Sequence, residues 1–192
     1  MHLINLEKRE IALLNQLKKI ENDYEYIFLD CPPSLGLTSI NALTASSYII
    51  IPLQCEYYAL EGLGSLLNTY QLVKKNLNSG LELGGVILTM ANFSTNLTKQ
   101  VVDEVRNYFK EKVFSAVVPR SVKLSEAPSF GKPAVLYDAH NRGSQAYVEI
   151  GKEFLARFGT DEDRRNLAAE ASAATQTTAQ VEKTSDEPAS AA

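Results

Sequence analysis

The sequence predicts an α/β fold built on a mostly parallel β-sheet flanked by helices. Short apolar runs alternate along the chain with stretches in which apolar residues recur every three or four positions, an order typical of parallel sheets with helical connections. The runs are rich in Ile, Val and Leu, which suits strands that are buried on both faces. With 45% hydrophobic residues among 192, the chain can also form a packed core.

The first predicted elements are a helix and a buried strand. Leu13, Leu17 and Ile20 fall on one helical face, and the helix leads into residues 24–30, whose consecutive apolar residues predict a strand that ends at Asp30. A carboxylate at the carboxyl end of a parallel strand lies where α/β sheets bind their ligands. Asp30 is therefore either a Walker B carboxylate that orders magnesium or an ordinary Asp that begins a turn.

The later elements follow in alternation. They are a helix over 37–45, a strand over 48–53, a helix over 60–77, a strand over 84–90, a helix capped by Ser94 or Thr95, a strand over 113–118 and a helix over 142–158 that Gly159 ends. Polar residues come directly after the strands at Gln54, Asn92 and Arg120. Because the carboxyl ends of parallel strands share one edge of a sheet, we expect these residues and Asp30 to converge on one ligand site.

A phosphate-binding loop of the form Gly-x-x-x-x-Gly-Lys-Ser/Thr does not occur in the sequence. The nearest string is Gly131-Lys132-Pro133, but Pro133 offers neither a hydroxyl for magnesium nor a backbone N–H for phosphate. The sequence is therefore expected to represent a nucleotide hydrolase that is entered partway through, with the amino-terminal part of the fold missing.

Charge and composition divide the chain into two expected regions, a domain over 1–159 and a disordered acidic tail over 160–192. The tail is rich in Ala, Ser, Thr, Gln and Glu, and its seven acidic and three basic residues account for the whole net charge of −4. Between Lys99 and Arg142, eight basic residues stand against five acidic ones. This excess indicates either a nucleic-acid-binding surface or a solvated helix face.

Two cysteines, Cys31 and Cys55, have neither the number nor the spacing of a disulfide framework or a zinc site. Small buried thiols are the expected interpretation of both. The sequence also contains no apolar run near the roughly 20 residues that cross a bilayer, and no export signal. We therefore expect a cytoplasmic protein.

Several phrases of the sequence resemble the ParA/Soj partition ATPases, which belong to the MinD/ParA superfamily and have a deviant Walker A loop. The phrases are Asp-Cys-Pro-Pro-Ser-Leu-Gly at 30–36, Asn-Ala-Leu-Thr-Ala at 41–45, Ile-Pro-Leu-Gln-Cys-Glu-Tyr-Tyr-Ala-Leu-Glu-Gly at 51–62, Leu-Thr-Met at 88–90, Val-Pro-Arg at 118–120 and Leu-Ser-Glu-Ala-Pro-Ser at 124–129. The resemblance covers about residues 3 to 158. It implies a P-loop NTPase-like fold that is incomplete at the amino terminus, with exposed apolar sheet faces where central strands are missing.

The resemblance also implies a function. Proteins of this family form homodimers around two ATP molecules with Mg²⁺, bind DNA without sequence preference, and are released by hydrolysis that a ParB-type partner stimulates. The expected location is therefore the cytoplasm, in association with the nucleoid.

The resemblance assigns roles to individual residues. Asp30 matches the Walker B Asp, and Pro119 matches a proline that lies against adenine. Asn92 and Asn96 lie near the base or the dimer seam, and the segment that contains Gln54 and Glu56 lines the nucleotide and the subunit interface.

A DNA contact is implied at Lys123, with Arg120 and Lys132 as further cations, although each could also be an ordinary surface base. Ser94 departs from the pattern, since Soj proteins commonly have Arg there.

Without the phosphate loop, this chain alone is expected to be inactive as an ATPase. The alternatives are a non-catalytic module that binds DNA or a partner, and an inactive pseudogene product. A membrane role is not expected, because MinD ends in a basic amphipathic helix whereas this chain ends in an acidic segment.

Overall fold

A computed structural model describes residues 7–32 and 34–170, which form two compact units divided after Ser121. We call the part up to Ser121 the sheet unit and the part from Val122 the helical unit. The sheet unit contains α1 (Ala12–Leu17), α2 (Leu37–Ala45), β1 (Tyr48–Gln54), α3 (Tyr57–Asn76), β2 (Glu82–Thr89) and α4 (Asn96–Phe109). The helical unit contains α5 (Val122–Glu126), α6 (Ala134–Tyr137) and α7 (Arg142–Phe158).

The sheet consists of β1 and β2, which pair in parallel with Gln54 opposite Thr89 at their carboxyl ends. Residues 113–120 run beside β2 and the residues after it in the same direction, and they pair through isolated bridges, Val86 with Val113 and Ala91 with Pro119. The stretch from Val113 to Pro119 is one residue longer than the facing stretch from Val86 to Ala91, so the ladder between the two bridges is interrupted.

One face of the sheet is covered by α3 and α4. Leu53 of β1 and Leu88 of β2 pack with Leu63 of α3 and with Val101 and Val105 of α4 in one buried cluster. The opposite side of β1 is open: Tyr48 is half exposed and Pro52 is exposed. Apolar surface is therefore exposed on this side of β1 at Tyr48 and Pro52, whereas Ile50 is partly buried.

Gly85 allows residues 112–114 to lie against β2. A Cβ atom at this position would come within 2.6 Å of the Phe114 ring and 2.8 Å of the Lys112 carbonyl oxygen. Phe114 is fully buried, so a side chain at position 85 would displace it.

The predicted strand over 24–30 is wrong. These residues form no strand of the described sheet, and Tyr24 and Phe28 are 62% and 72% exposed. An apolar run specifies burial but not a neighbour, and a strand is stable only beside another strand with which it exchanges backbone hydrogen bonds. The described sheet consists of β1 and β2 with residues 113–120 alongside, and it does not include this run.

Other predicted elements agree with the structure more closely. The helices over 37–45 and 142–158 have the predicted bounds, and Gly159 follows the second one. The strand expected over 113–118 is reduced to the two bridges. The tail expected from residue 160 begins with a helix over 161–170, where Thr160 and Asp163 form reciprocal capping hydrogen bonds. The rest of that tail, 171–192, lies outside the described residues.

The helical unit is organised around the start of α7. Asn141 caps this helix by accepting a hydrogen bond from the Gly143 N–H at 2.9 Å. The Ser144 hydroxyl is buried and donates to the Ala134 carbonyl oxygen at 3.0 Å, which ties α7 to α6. Leu124 of α5 lies so close to Gly143 that a Cβ there would clash at 2.6 Å, so α5 also packs directly on α7.

Candidate functional site at the carboxyl edge of the sheet

The carboxyl ends of β1, β2 and residues 113–120 meet at one edge of the sheet unit, which we call the rim. The Cys55 N–H donates to the Thr89 carbonyl oxygen at 3.0 Å, and the Ala91 N–H donates to the Val118 carbonyl oxygen at 3.0 Å. The Arg120 N–H then donates back to the Ala91 carbonyl oxygen at 3.0 Å. These bonds hold the three loops that follow the strands side by side.

The rim places Glu56 and Arg120 in contact although they are far apart in the sequence. Arg120 Nη2 donates to Glu56 Oε1 at 2.8 Å, and both side chains remain about half exposed. Glu56 also precedes α3 directly. An exposed ion pair of this kind contributes at most about 1 kcal/mol, so an incoming charged ligand can displace it.

Asn92 organises the loop between β2 and α4. Its side-chain Oδ1 accepts a hydrogen bond from the Ser94 N–H at 3.2 Å, and its carbonyl oxygen accepts one from the Thr95 hydroxyl at 3.0 Å. Thr95 caps α4 and Asn96 is its first residue, so of the two predicted asparagines Asn92 lies on this loop and Asn96 at the start of α4. Met90, immediately before the loop, has a φ of 53°, a left-handed conformation that is uncommon for a residue with a side chain.

The predicted site residues Gln54, Glu56, Asn92, Pro119 and Arg120 thus lie on adjoining strand ends and loops at the rim. Asp30 follows a segment that is no strand of the described sheet, so it is not one of these strand ends. Asp30 is exposed, and it makes no hydrogen bond or ion pair with the residues that the structure describes.

The two cysteines differ in exposure. Cys55 is buried as expected, but Cys31 is exposed, which corrects the expectation of a buried thiol. Partial desolvation and the neighbouring Asp30 charge raise the pKa of Cys31, and desolvation raises the pKa of Cys55. Both thiols are therefore less ionised than an ordinary cysteine at neutral pH.

The DNA-contact candidates Lys123 and Lys132 belong to the helical unit. Lys123 Nζ donates to Glu126 Oε2 at 3.0 Å and lies 5.6 Å from the centre of the Tyr137 ring. The Tyr137 hydroxyl donates to the same Glu126 oxygen, also at 3.0 Å. Lys132 is exposed, and its ammonium group makes no ion pair within the described part of the chain.

Glu126 and Tyr137 are neighbours of Lys123 that were not predicted from the sequence. Glu126 stands three residues after Lys123, a helical spacing that brings two side chains together. That spacing was a usable signal. Tyr137 comes from α6, and no local pattern places it there.

The described residues fit a nucleotide only in part. The rim offers Pro119 as an apolar surface and Asn92 as a hydrogen-bonding loop, which suit the base end of a nucleotide. No set of three His, Cys, Asp or Glu side chains in residues 7–32 and 34–170 is grouped to hold a metal ion. A Walker B carboxylate orders magnesium through water and needs no such set, so the role of Asp30 in ordering magnesium stays a prediction.

None of the helices in the described part of the chain is both long and apolar enough to cross a membrane.

Comparison with known proteins relates the chain to partitioning proteins. A family model described as an AAA domain matches residues 1–83. The chain is 53% identical over 156 residues to the sporulation initiation inhibitor protein Soj of Bacillus subtilis, covering 81% of this chain and 62% of that protein. It is 49% identical over 168 residues to the chromosome partitioning protein ParA of Myxococcus xanthus, covering 88% of this chain and 59% of the relative.

The chain belongs to the ParA/Soj family. It spans about three-fifths of the length of these two relatives, which are 62% and 59% covered. Among solved structures, cobyrinic acid a,c-diamide synthase of Mycobacterium smegmatis with bound ADP and magnesium is similar, with a TM-score of 0.62 and 31% identity. That match covers 77% of this chain and 53% of the synthase. The predicted α/β fold class is confirmed.

Proposed function

We propose that this chain is the part of a ParA/Soj-type chromosome-partitioning protein that carries the base end of the nucleotide site and the DNA-binding surface. The observation that carries the proposal is the 53% identity with Soj over 156 residues. In the proposed function the protein forms an ATP-dependent homodimer, binds DNA without sequence preference in the cytoplasm, and leaves DNA when a ParB-type partner stimulates hydrolysis. It has no role at a membrane.

The rim is the proposed nucleotide site. Pro119 and the loop with Asn92 and Asn96 would contact the base, and Gln54 and Glu56 would face the nucleotide or the partner subunit. The solved relative with ADP and magnesium supports the ligand class. Magnesium would be ordered by Asp30 only if residues 24–30 took up a place in a sheet.

The proposed DNA contacts are Lys123 and Lys132 in the helical unit, with Arg120 of the sheet unit as a further cation. Cations that contact phosphates bind every duplex alike, which is what a protein without sequence preference requires. Lys132 is the most available of the three, since Lys123 and Arg120 are each in an ion pair. Phosphate must displace Glu126 or Glu56 before those two cations can bind fully.

The test is DNA binding by the 192-residue chain, measured as fluorescence anisotropy of labelled duplexes with unrelated sequences. Lys123→Ala should weaken binding to all duplexes several-fold and lower the slope of log affinity against log salt by about one phosphate contact. The matched control is Lys152→Ala, because Lys152 is as exposed as Lys123 and also pairs with a glutamate three residues away. The control should leave binding unchanged.

Two results would overturn the DNA assignment. One is a lack of salt-sensitive binding by the unsubstituted chain. The other is an equal loss in Lys123→Ala and Lys152→Ala, which would mean that only net charge matters.

A second candidate function is a non-catalytic module that binds DNA or a partner protein. The absence of a Gly-x-x-x-x-Gly-Lys-Ser/Thr string from the 192 residues favours it. The two functions differ in nucleotide use: only the first predicts that ATP alters the DNA affinity of the protein.

A further inference from the structure

Lys123 is held on two sides by neighbouring side chains of the helical unit. Its ammonium group donates to Glu126 Oε2 at 3.0 Å and lies 5.6 Å from the centre of the Tyr137 ring. Tyr137 is itself fixed, because its hydroxyl donates to the same Glu126 oxygen and its ring stacks on Phe130 with centroids 5.0 Å apart. The carboxylate is therefore held against Lys123 by a second donor.

The chemistry of this cluster favours the charged pair. Hydrogen bonds from Lys123 and Tyr137 lower the pKa of Glu126, and the hydrogen bond with Glu126 raises the pKa of Lys123. Both groups stay ionised at neutral pH. A DNA phosphate that approached Lys123 would meet an ammonium group whose charge is already offset and a carboxylate that repels it.

From this arrangement we infer that Glu126 competes with DNA phosphate for Lys123 and thereby lowers the resting DNA affinity of the protein. The inference rests on the proposed DNA-binding function. Because Lys123 and Glu126 are 46% and 39% exposed, their pair is weak enough for phosphate to displace reversibly. Tyr137 sets the strength of the competition, since it holds the carboxylate in place.

The experiment compares DNA affinity and salt dependence among variants of the full 192-residue chain. Glu126→Gln should raise affinity about two- to fivefold and steepen the salt slope, because Lys123 becomes available to phosphate. Tyr137→Phe keeps the ring but removes the hydroxyl, and it should raise affinity by a smaller factor. Circular dichroism confirms that each variant remains folded.

The matched control is Glu149→Gln. Glu149 pairs with Lys152 at 3.2 Å across the same three-residue spacing, so its removal changes the net charge by the same amount without freeing Lys123. Glu126→Gln should increase DNA affinity more than Glu149→Gln does. When Lys123→Ala is also present, the increase caused by Glu126→Gln should be no larger than that caused by Glu149→Gln.

The outcomes separate this inference from the proposed function. If Lys123→Ala does not weaken binding, the DNA assignment itself fails. If Lys123→Ala weakens binding but Glu126→Gln has no greater effect than Glu149→Gln, the competition is absent. A loss of affinity in Glu126→Gln would mean that Glu126 positions Lys123 for DNA, the opposite of what we infer.

Discussion

At the scale of single residues, the space beside Gly85 decides whether residues 112–114 can pack on β2. The buried Phe114 ring and the Lys112 carbonyl oxygen lie where a Cβ would project, at 2.6 and 2.8 Å. One of these neighbours is backbone, which cannot rotate away as a side chain can. The position therefore tolerates only glycine without a shift of the chain.

Gly85→Ala should lower the free energy of unfolding by about 1–3 kcal/mol, the usual cost of overpacking a core. Gly64→Ala is the matched control, because Gly64 lies exposed within α3 with nothing within 4 Å of the added methyl group. In the control, the free energy of unfolding should increase by about 0.5–1 kcal/mol, because alanine reduces the backbone entropy of the unfolded chain. Urea unfolding followed by circular dichroism measures both. Equal effects of the two substitutions would contradict the packing that the structure describes.

At the scale of elements, α1 depends on a side chain of α2. A helix of six residues is not stable in water alone. Buried Asn41 accepts a hydrogen bond from the Leu13 N–H at 3.1 Å and donates to the Arg9 carbonyl oxygen at 2.8 Å. Its Nδ2 also donates to the Leu37 carbonyl oxygen at 3.0 Å within α2. The phrase at 41–45 that carries the family resemblance thus contains a structural residue.

Asn41→Leu keeps the number and branching of the side-chain heavy atoms but leaves the Leu13 N–H and the Arg9 carbonyl oxygen without these hydrogen bonds, which should cost about 2–3 kcal/mol. Hydrogen exchange should accelerate at the amides of α1 before the core strands open. Asn76→Leu is the control, since Asn76 makes one exposed hydrogen bond, with the Leu72 carbonyl oxygen. If Asn41→Leu lowers the free energy of unfolding no more than Asn76→Leu does, then α1 is held by other contacts.

Elements with their own local signals were predictable, and those that require a distant partner were not. The apolar period of α7 and the glycine that follows it, Gly159, lie within the local sequence, so the bounds of this helix followed from residues 142–159. Residues 24–30 and 113–118 also contain runs of apolar residues, which predicted a strand in each segment. Whether they pair depends on which strands lie beside them, and periodicity contains no information about neighbours.

The residues of the candidate site also separate into those that the sequence could predict and those that it could not. The rule that parallel strands end at one edge of the sheet correctly grouped Gln54, Asn92 and Arg120. It failed at Asp30, because the rule applies only to segments that join the sheet. The Glu56–Arg120 ion pair spans two loops and could not be predicted without the fold.

At the scale of the whole molecule, the nucleotide site that we propose at the rim has candidate contacts for the base, but the sequence contains no phosphate-binding loop of the Gly-x-x-x-x-Gly-Lys-Ser/Thr form. Phosphoryl transfer depends almost entirely on positioning and on stabilising negative charge, which the family achieves with backbone N–H groups and a lysine in the phosphate loop. No such string occurs in the 192 residues. Asp30 is exposed and follows no strand of the described sheet, and a single carboxylate cannot replace the backbone N–H groups and the lysine of that loop.

The 192-residue chain should therefore hydrolyse ATP no faster than buffer with magnesium. Adenosine and ATP should bind it with similar, weak affinity, because the contacts are made to the base. Phosphate release measures the first quantity, and titration calorimetry measures the second. Magnesium-dependent turnover that Asp30→Ala abolishes would contradict the first expectation. ATP binding much tighter than adenosine binding would contradict the second, since it would require a phosphate site at the rim that the described residues do not form.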